Sequence, residues 1–280
     1  MRFAIYYNMY KLFDLHNDYF LKLKTDSKKQ KYIKNSIVDA ENIITALWTS
    51  ELSNDESVRE IERARDFVNS IPNLFLGVED LHFLSKANLD KFVSLRPVYA
   101  GLTWNSSNCL AGGAKESGRL TTFGKFVVKK LESNNIKIDT AHLNEESFMD
   151  MSKISSKPLF CSHTAFFGLN PHLRNLKDYQ IKMIVDSGGL VGLCLVSDFL
   201  TEDKQCQINH LVSHIDYFAC KFGVNNIAIG TDFYGTNHLP KNAKNYSGLV
   251  KNVANALEKM GYTEKSISKI FFDNASEFFA

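Results

Sequence analysis

At 280 residues the chain is long enough for one closed α/β barrel, which needs about 250, and its 33 lysines and arginines against 31 aspartates and glutamates present little field to a polyanion or a lipid surface. The five cysteines, Cys109, Cys161, Cys194, Cys206 and Cys220, are odd in number and lack a Cys-x-x-Cys spacing, which argues against a disulfide framework and a thiolate zinc site. No stretch reaches the ~18 apolar residues of a membrane span. The expectation is a cytoplasmic protein with reduced cysteines and a small-molecule partner, no nucleic acid and no membrane, with a homodimer left open.

Met1 to Lys11 carries Phe3, Ile5 and Tyr7 in alternation, which predicts a short edge strand and not a secretory segment. Leu12 to His16 is a first apolar run, and Asp18 follows it. Lys22 to Lys34 has no apolar period and reads as a solvated face. Ile43 to Trp48 suits a strand, and Ser57 to Ile71 repeats Val58, Ile61, Ala64, Phe67, Val68 and Ile71 at helical spacing. The run from Asn73 to Val78 ends on Glu79. Leu84 to Leu95 reads as a helix, Pro97 to Leu102 as a strand, and Thr121 to Leu131 as an amphipathic helix.

The alternation goes on. Ile136 to Ala141 ends on His142, after which Asn144 is placed to cap a helix with Glu145 and Glu146 in its first turn. Pro158 to Ser162 ends on His163. A helix over Asp178 to Val185 is stopped by Gly188-Gly189, Leu190 to Val196 is a strand with no metal ligand at its end, and Ile208 to Phe222 is a helix. Ile227 to Thr231 ends on Asp232, and helices over Leu249 to Met260 and Glu264 to Phe272 close the chain. Strands near 12–16, 43–48, 73–78, 98–103, 136–141, 158–162, 190–196 and 227–231 make eight, most followed by a helix. That pattern predicts a (β/α)8 TIM-like barrel of the metal-dependent hydrolase type, one catalytic domain over residues 1–280.

His16, Asp18, Glu79, His142, His163 and Asp232 all fall at the C-terminal ends of expected strands, the rim on which such barrels carry their chemistry. Singly, each has a bland reading: His142 as a core histidine bonded to a backbone carbonyl, Asp232 as the cap of the next helix. Together they need a cation, because a buried ring of carboxylates and imidazoles is costly without one. Three histidines and two carboxylates exceed what one open tetrahedral zinc takes. They suit two metals about 3.5–4 Å apart, between which a shared water acts as hydroxide near neutral pH. Asp232 is then left as a base or as a hydrogen-bond orienter.

The segments Asp14-Leu15-His16-Asn17-Asp18, Gly77-Val78-Glu79, Leu102-Thr103-Trp104-Asn105, Ile138-Asp139-Thr140-Ala141-His142, Ser162-His163, Arg174-Asn175 and Gly230-Thr231-Asp232-Phe233 resemble, in order, the motifs of the membrane dipeptidase (renal dipeptidase) family of zinc peptidases. The resemblance implies a TIM-like barrel with two Zn2+ that hydrolyses dipeptides, including those with a D-residue at the C-terminal position. By position it implies that His16 and Asp18 hold one zinc, His142 and His163 the other, and Glu79 both. Arg174 would bind the substrate carboxylate through its planar fork of donors. Asp232 would handle the proton of the bridging water and then of the leaving amine.

The chain also departs from the family. Trp104 stands where animal members have a histidine that binds substrate, as it does in bacterial members, and is expected to line the substrate site. Asp80-Leu81 stands where the family has two glycines before a histidine, and His82 keeps that histidine's place, expected to donate to a ligand from behind. Tyr234 replaces a second aspartate, and pocket loops are expected to be trimmed. Two other readings share the sequence: a barrel metal-dependent hydrolase acting on another small amide or ester, and a catalytically silent barrel that binds.

Overall fold

The structure is a computed structural model that describes residues 10–20 and 40–280. The expected edge strand around Phe3, Ile5 and Tyr7 and the charged run from Lys22 to Lys34 lie outside them. Eight strands close a parallel barrel in chain order: β1 Phe13–Asn17, β2 Asn42–Trp48, β3 Leu74–Glu79, β4 Tyr99–Gly101, β5 Lys137–Asp139, β6 Phe160–Thr164, β7 Leu190–Leu193 and β8 Ile227–Ile229. Asp14 opposite Ile229 joins the last strand to the first. The strands are buried on both faces, which is why they read as near-continuous apolar runs.

The described helices lie between and beyond the strands: α1 Asn54–Asn69, α2 Leu89–Ser94, α3 Thr122–Ser133, α4 Glu145–Ile154, α5 Asp178–Asp186, α6 Ser197–Leu200, α7 Ile208–Phe222, α8 Tyr246–Lys259 and α9 Glu264–Ser268. Their starts follow local chemistry. Ser53 and Glu56 form a reciprocal capping box on α1, and the Asn144 side chain accepts from Ser147 N at 2.8 Å to open α4. The expected helix from Leu84 shortens to α2 because Asn88 takes the backbone for itself. Its amide donates to Phe83 O at 3.0 Å and accepts from Ser85 N at 2.8 Å, holding that stretch as turns.

The chain's end differs from the single helix expected over Glu264 to Phe272. After α9 the backbone makes a π-helical turn, Lys269–Asp273, and resumes as α10, Asn274–Phe279. The inserted residue re-phases the helix, and Asn274 fixes the new phase by donating to Val224 O (2.6 Å) and Ile227 O (2.8 Å). Phe278 and Phe279 then reach Phe160, each at 5.4 Å between ring centroids, and Phe279 lies 5.8 Å from Phe13. With Leu15, Ile44, Tyr99, Leu190 and Ala228 these rings fill the barrel interior and stopper its N-terminal mouth. Polar chemistry is left to the opposite mouth.

Candidate active site

Two of the expected ligand positions on the rim lie where the ladder breaks register. β1 shifts against β2 between Asp14 and Asn17, and β6 shifts against β7 between Cys161 and Thr164, so His16 and His163 both sit in bulged spans. A bulge re-aims a side chain that strict alternation would direct elsewhere. His142 and Asp232 are turned by a different device, left-handed backbone with φ of 64° and 58° just past β5 and β8. Such conformations cost energy in non-glycine residues and persist where the surroundings over-determine them. Asp232 N donates to His16 O at 2.9 Å, and Asp18 N to Phe233 O at 2.8 Å, which tie the β1 and β8 ends together. Beneath them the buried Asp14 carboxylate accepts from Thr231 N, Thr231 Oγ1 and Tyr246 Oη at 2.7 to 2.8 Å.

The ligand candidates converge. His16 Nε2 lies 3.6 Å from Asp18 Oδ2 and 3.9 Å from Asp232 Oδ1; Glu79 Oε1 lies 2.9 Å from His142 Nε2 and 3.6 Å from His163 Nε2. Ring partners set the tautomers. Ser162 Oγ donates to Asp139 Oδ2 at 2.5 Å and therefore accepts from His163 Nδ1 at 2.8 Å, while Asn105 Oδ1 accepts from His142 Nδ1 at 2.9 Å. Both Nε2 atoms then present lone pairs, 2.9 Å apart and facing a carboxylate oxygen, with no proton between them. His16 Nδ1 meets Tyr99 Oη at 2.8 Å, and Gly77 makes room for that ring: a Cβ there would lie 2.5 Å from Tyr99 Cζ.

This donor set fits a divalent metal. His16 Nε2, Asp18 Oδ1 and Glu79 Oε1 are buried without a hydrogen-bond partner, and His16, Glu79 and His163, like His16, Asp18 and Asp232, offer ligand atoms within 4.8 Å of one another. Electrostatics agree. Burial, with the charges of Arg174 and His16, holds His142 and His163 well below the usual histidine range, in the neutral form that binds metal. Burial also disfavours a proton on His16, but the hydrogen bond and charge of Asp18 with the charges of Glu79 and Asp232 override it and push His16 up to about 10. Burial pushes Glu79 up to about 8 and, with the Asp18 charge, Asp232 well above the carboxylate range. Protons are thus favoured on His16, Glu79 and Asp232 and disfavoured on His142 and His163.

Above the cluster opens a cavity of about 420 Å³ whose lining includes Asp18, Glu79, His142, His163 and Asp232 along with Trp104 and Arg174. Trp104 packs edge-on against Trp48 at 5.2 Å and lies 5.9 Å from the His142 ring. Arg174 is buried, with Nε unpartnered, Nη2 donating to His163 O at 3.4 Å and the guanidinium 5.6 Å over the Phe199 ring. No salt bridge occupies it among the described residues, and its Nε has no partner, which leaves donor capacity for a ligand carboxylate.

Two bland readings fail on this geometry. His142 bonds a side-chain amide and not a backbone carbonyl, and Asp232 caps no helix, since α8 begins at Tyr246 behind the Asn245 cap. His82 needs correcting. Its Nε2 meets Leu52 O at 3.1 Å and its Nδ1 lies 3.4 Å from Asp80 Oδ2, because the left-handed turn at Asp80 (φ 68°) leads the chain away from the ligands. The partners that do orient the candidate ligands, Tyr99, Asn105 and the Ser162–Asp139 pair, were not singled out from the sequence, although a carboxylate closing the strand run Lys137–Asp139 was a signal for the last. Such outer partners are typically worth about 10–100-fold in metal affinity. Ser162→Ala is accordingly expected to weaken metal binding by about that factor while the barrel stays folded, as read by metal titration in a calorimeter beside far-ultraviolet dichroism.

Residues 40–279 match the family model for membrane dipeptidase, peptidase family M19. Among curated proteins, an uncharacterised protein encoded in the pqqA 5′ region of Klebsiella pneumoniae is 31% identical over 186 residues, which cover 62% of this chain and 68% of that one. Two solved structures share the fold at 21% identity: dipeptidase AC, a metallopeptidase, with a TM-score of 0.85 over 97% of this chain and 98% of its own, and a metallopeptidase from Rhodobacter sphaeroides, liganded with a phosphinate mimic of L-Ala-D-Ala, with 0.83 over 96% and 98%. With a family match over most of its length and a closed parallel barrel beneath it, the chain belongs to the membrane dipeptidase family of metal-dependent peptidases.

Proposed function

We propose that the protein is a binuclear zinc dipeptidase that hydrolyses small dipeptides, including those with a D-residue at the C-terminal position. The observation that carries this reading is the meeting of the His142 and His163 Nε2 lone pairs with Glu79 Oε1, next to the unpartnered atoms of His16 and Asp18 and facing a free Arg174. His16 and Asp18 would hold one ion, His142 and His163 the other, and Glu79 both. Nitrogen and oxygen donors without thiolate suit Zn2+. When bound, such a pair polarises the scissile carbonyl and lowers the proton affinity of water.

The chain's own residues do the rest. Arg174 anchors the free carboxylate of the substrate and so sets which peptide bond lies over the ligands. Trp48 and Trp104 wall the cavity with apolar surface that limits water. Asp232, lining the same cavity, accepts a proton from the attacking water and returns it to the leaving amine. The phosphinate dipeptide mimic held by the Rhodobacter sphaeroides protein supports a D-residue at the second position. Elemental analysis is expected to give about two zinc ions per chain. Loaded protein is expected to cleave dipeptides, and a panel pairing L- with D-residues at the C-terminal position reads the stereochemistry. Metal-free protein with no activation by zinc would overturn the reading.

A further inference from the structure

We propose that Lys115 supplies a second cationic contact that selects dipeptides whose C-terminal residue carries a side-chain carboxylate; this rests on the dipeptidase reading. Lys115 sits on a turn fastened to the site at both ends. Ala114 N donates to His142 O at 2.8 Å and Lys115 N to Asn105 O at 2.9 Å, the latter on the residue that orients His142. Gly113 allows the close approach: a Cβ there would lie 2.4 Å from Ser106 O. The base of the lysine is therefore held beside the ligands, while its exposed side chain lines the cavity mouth.

Lys115 and Arg174 line both the cavity over the ligands and an adjoining one of about 440 Å³, so the two cations stand on the wall the cavities share. Of the acids that line the adjoining cavity, Glu116, Glu145 and Glu146, two are engaged by other groups. Glu116 accepts from Ser107 N at 2.9 Å, and Glu145 pairs with Lys177 Nζ at 2.6 Å and with the Tyr179 hydroxyl. Among the described residues no salt bridge is made by Lys115 or Arg174. His172 on that wall adds no charge of its own, because burial and Arg174 keep it neutral and its Nδ1 accepts from Arg174 N at 3.2 Å. Once the α-carboxylate of a dipeptide occupies the Arg174 fork, the ammonium of Lys115 faces the adjacent side chain with its charge unmet. A carboxylate on one or two methylenes meets it; the isosteric amide does not.

The test compares kcat/KM of zinc-loaded enzyme on Ala-Glu and Ala-Gln, in the stereochemistry the panel selects. Wild type is expected to prefer the glutamyl substrate by about five- to tenfold, less as salt is raised, since the lysine is exposed and its charge is screened. Lys115→Met is expected to bring the ratio near one, and Lys115→Glu to shift preference towards Ala-Lys. Cleavage of both substrates with no glutamyl preference in wild type, or a preference that survives in Lys115→Met, overturns this inference alone. Failure to cleave either substrate overturns the dipeptidase reading and this inference with it.

Discussion

Glu79→Gln is expected to empty at least one of the two proposed metal positions and to lower turnover by more than about a hundredfold, since outer partners of metal ligands alone are worth 10–100-fold in affinity. Glu79 Oε1 is the only carboxylate oxygen within 4 Å of both His142 Nε2 and His163 Nε2 among the described residues, and Glu79 also belongs with His16 and His163 to a group whose ligand atoms lie within 4.8 Å. Glutamine keeps the length of the side chain but removes the charge shared across the cluster and places an amide on lone pairs that need a cation. Zinc per chain and dipeptide turnover are measured together. A variant that kept two ions and near-normal turnover would remove Glu79 from the shared position.

Asp232→Asn is expected to separate the same two readouts. General acid–base assistance is typically worth about 10²–10⁴-fold, so turnover should fall by that factor while metal content stays whole. Asparagine is nearly isosteric and tolerates the left-handed backbone that Asp232 adopts, so the fold has no reason to change. It cannot accept a proton at working pH. Loss of an ion would instead make Asp232 a ligand, consistent with its place in the group of His16 and Asp18, and full activity would take it off the catalytic list.

The rim was legible because the barrel imposes one rule on it: a polar residue that ends an apolar run lies at the C-terminal mouth. His16, Glu79, His142, His163 and Asp232 obey that rule, and strand positions follow from it within a few residues. What escaped reading depends on backbone geometry that residue types do not encode locally. The bulges under His16 and His163 arise from the register of neighbouring strands, the π-turn before Asn274 from packing against Val224 and Ile227, and the Tyr99 contact from the space left by Gly77 on the strand next to it. His82 misled because sequence spacing ignores the left-handed turn at Asp80. Asp14 and Asp139 were visible as carboxylates in apolar strands, and their burial required the hydroxyl and amide donors that the structure supplies.

The aromatic stopper formed by Phe13, Phe160, Phe278 and Phe279 makes the cavity a blind well. No passage leads out through the stoppered end, so traffic at the C-terminal mouth is ordered by whichever fragment still holds an anchor. If Arg174 anchors the substrate carboxylate as proposed, the fragment that keeps that carboxylate is bound at both ends of the reaction, as part of the dipeptide and as a free amino acid. It leaves last and competes directly with the next dipeptide, whereas the fragment freed at the other side has no such hold. On that proposal, accumulation of the C-terminal amino acid is expected to slow the enzyme competitively, a brake that would come from closing one end of a barrel.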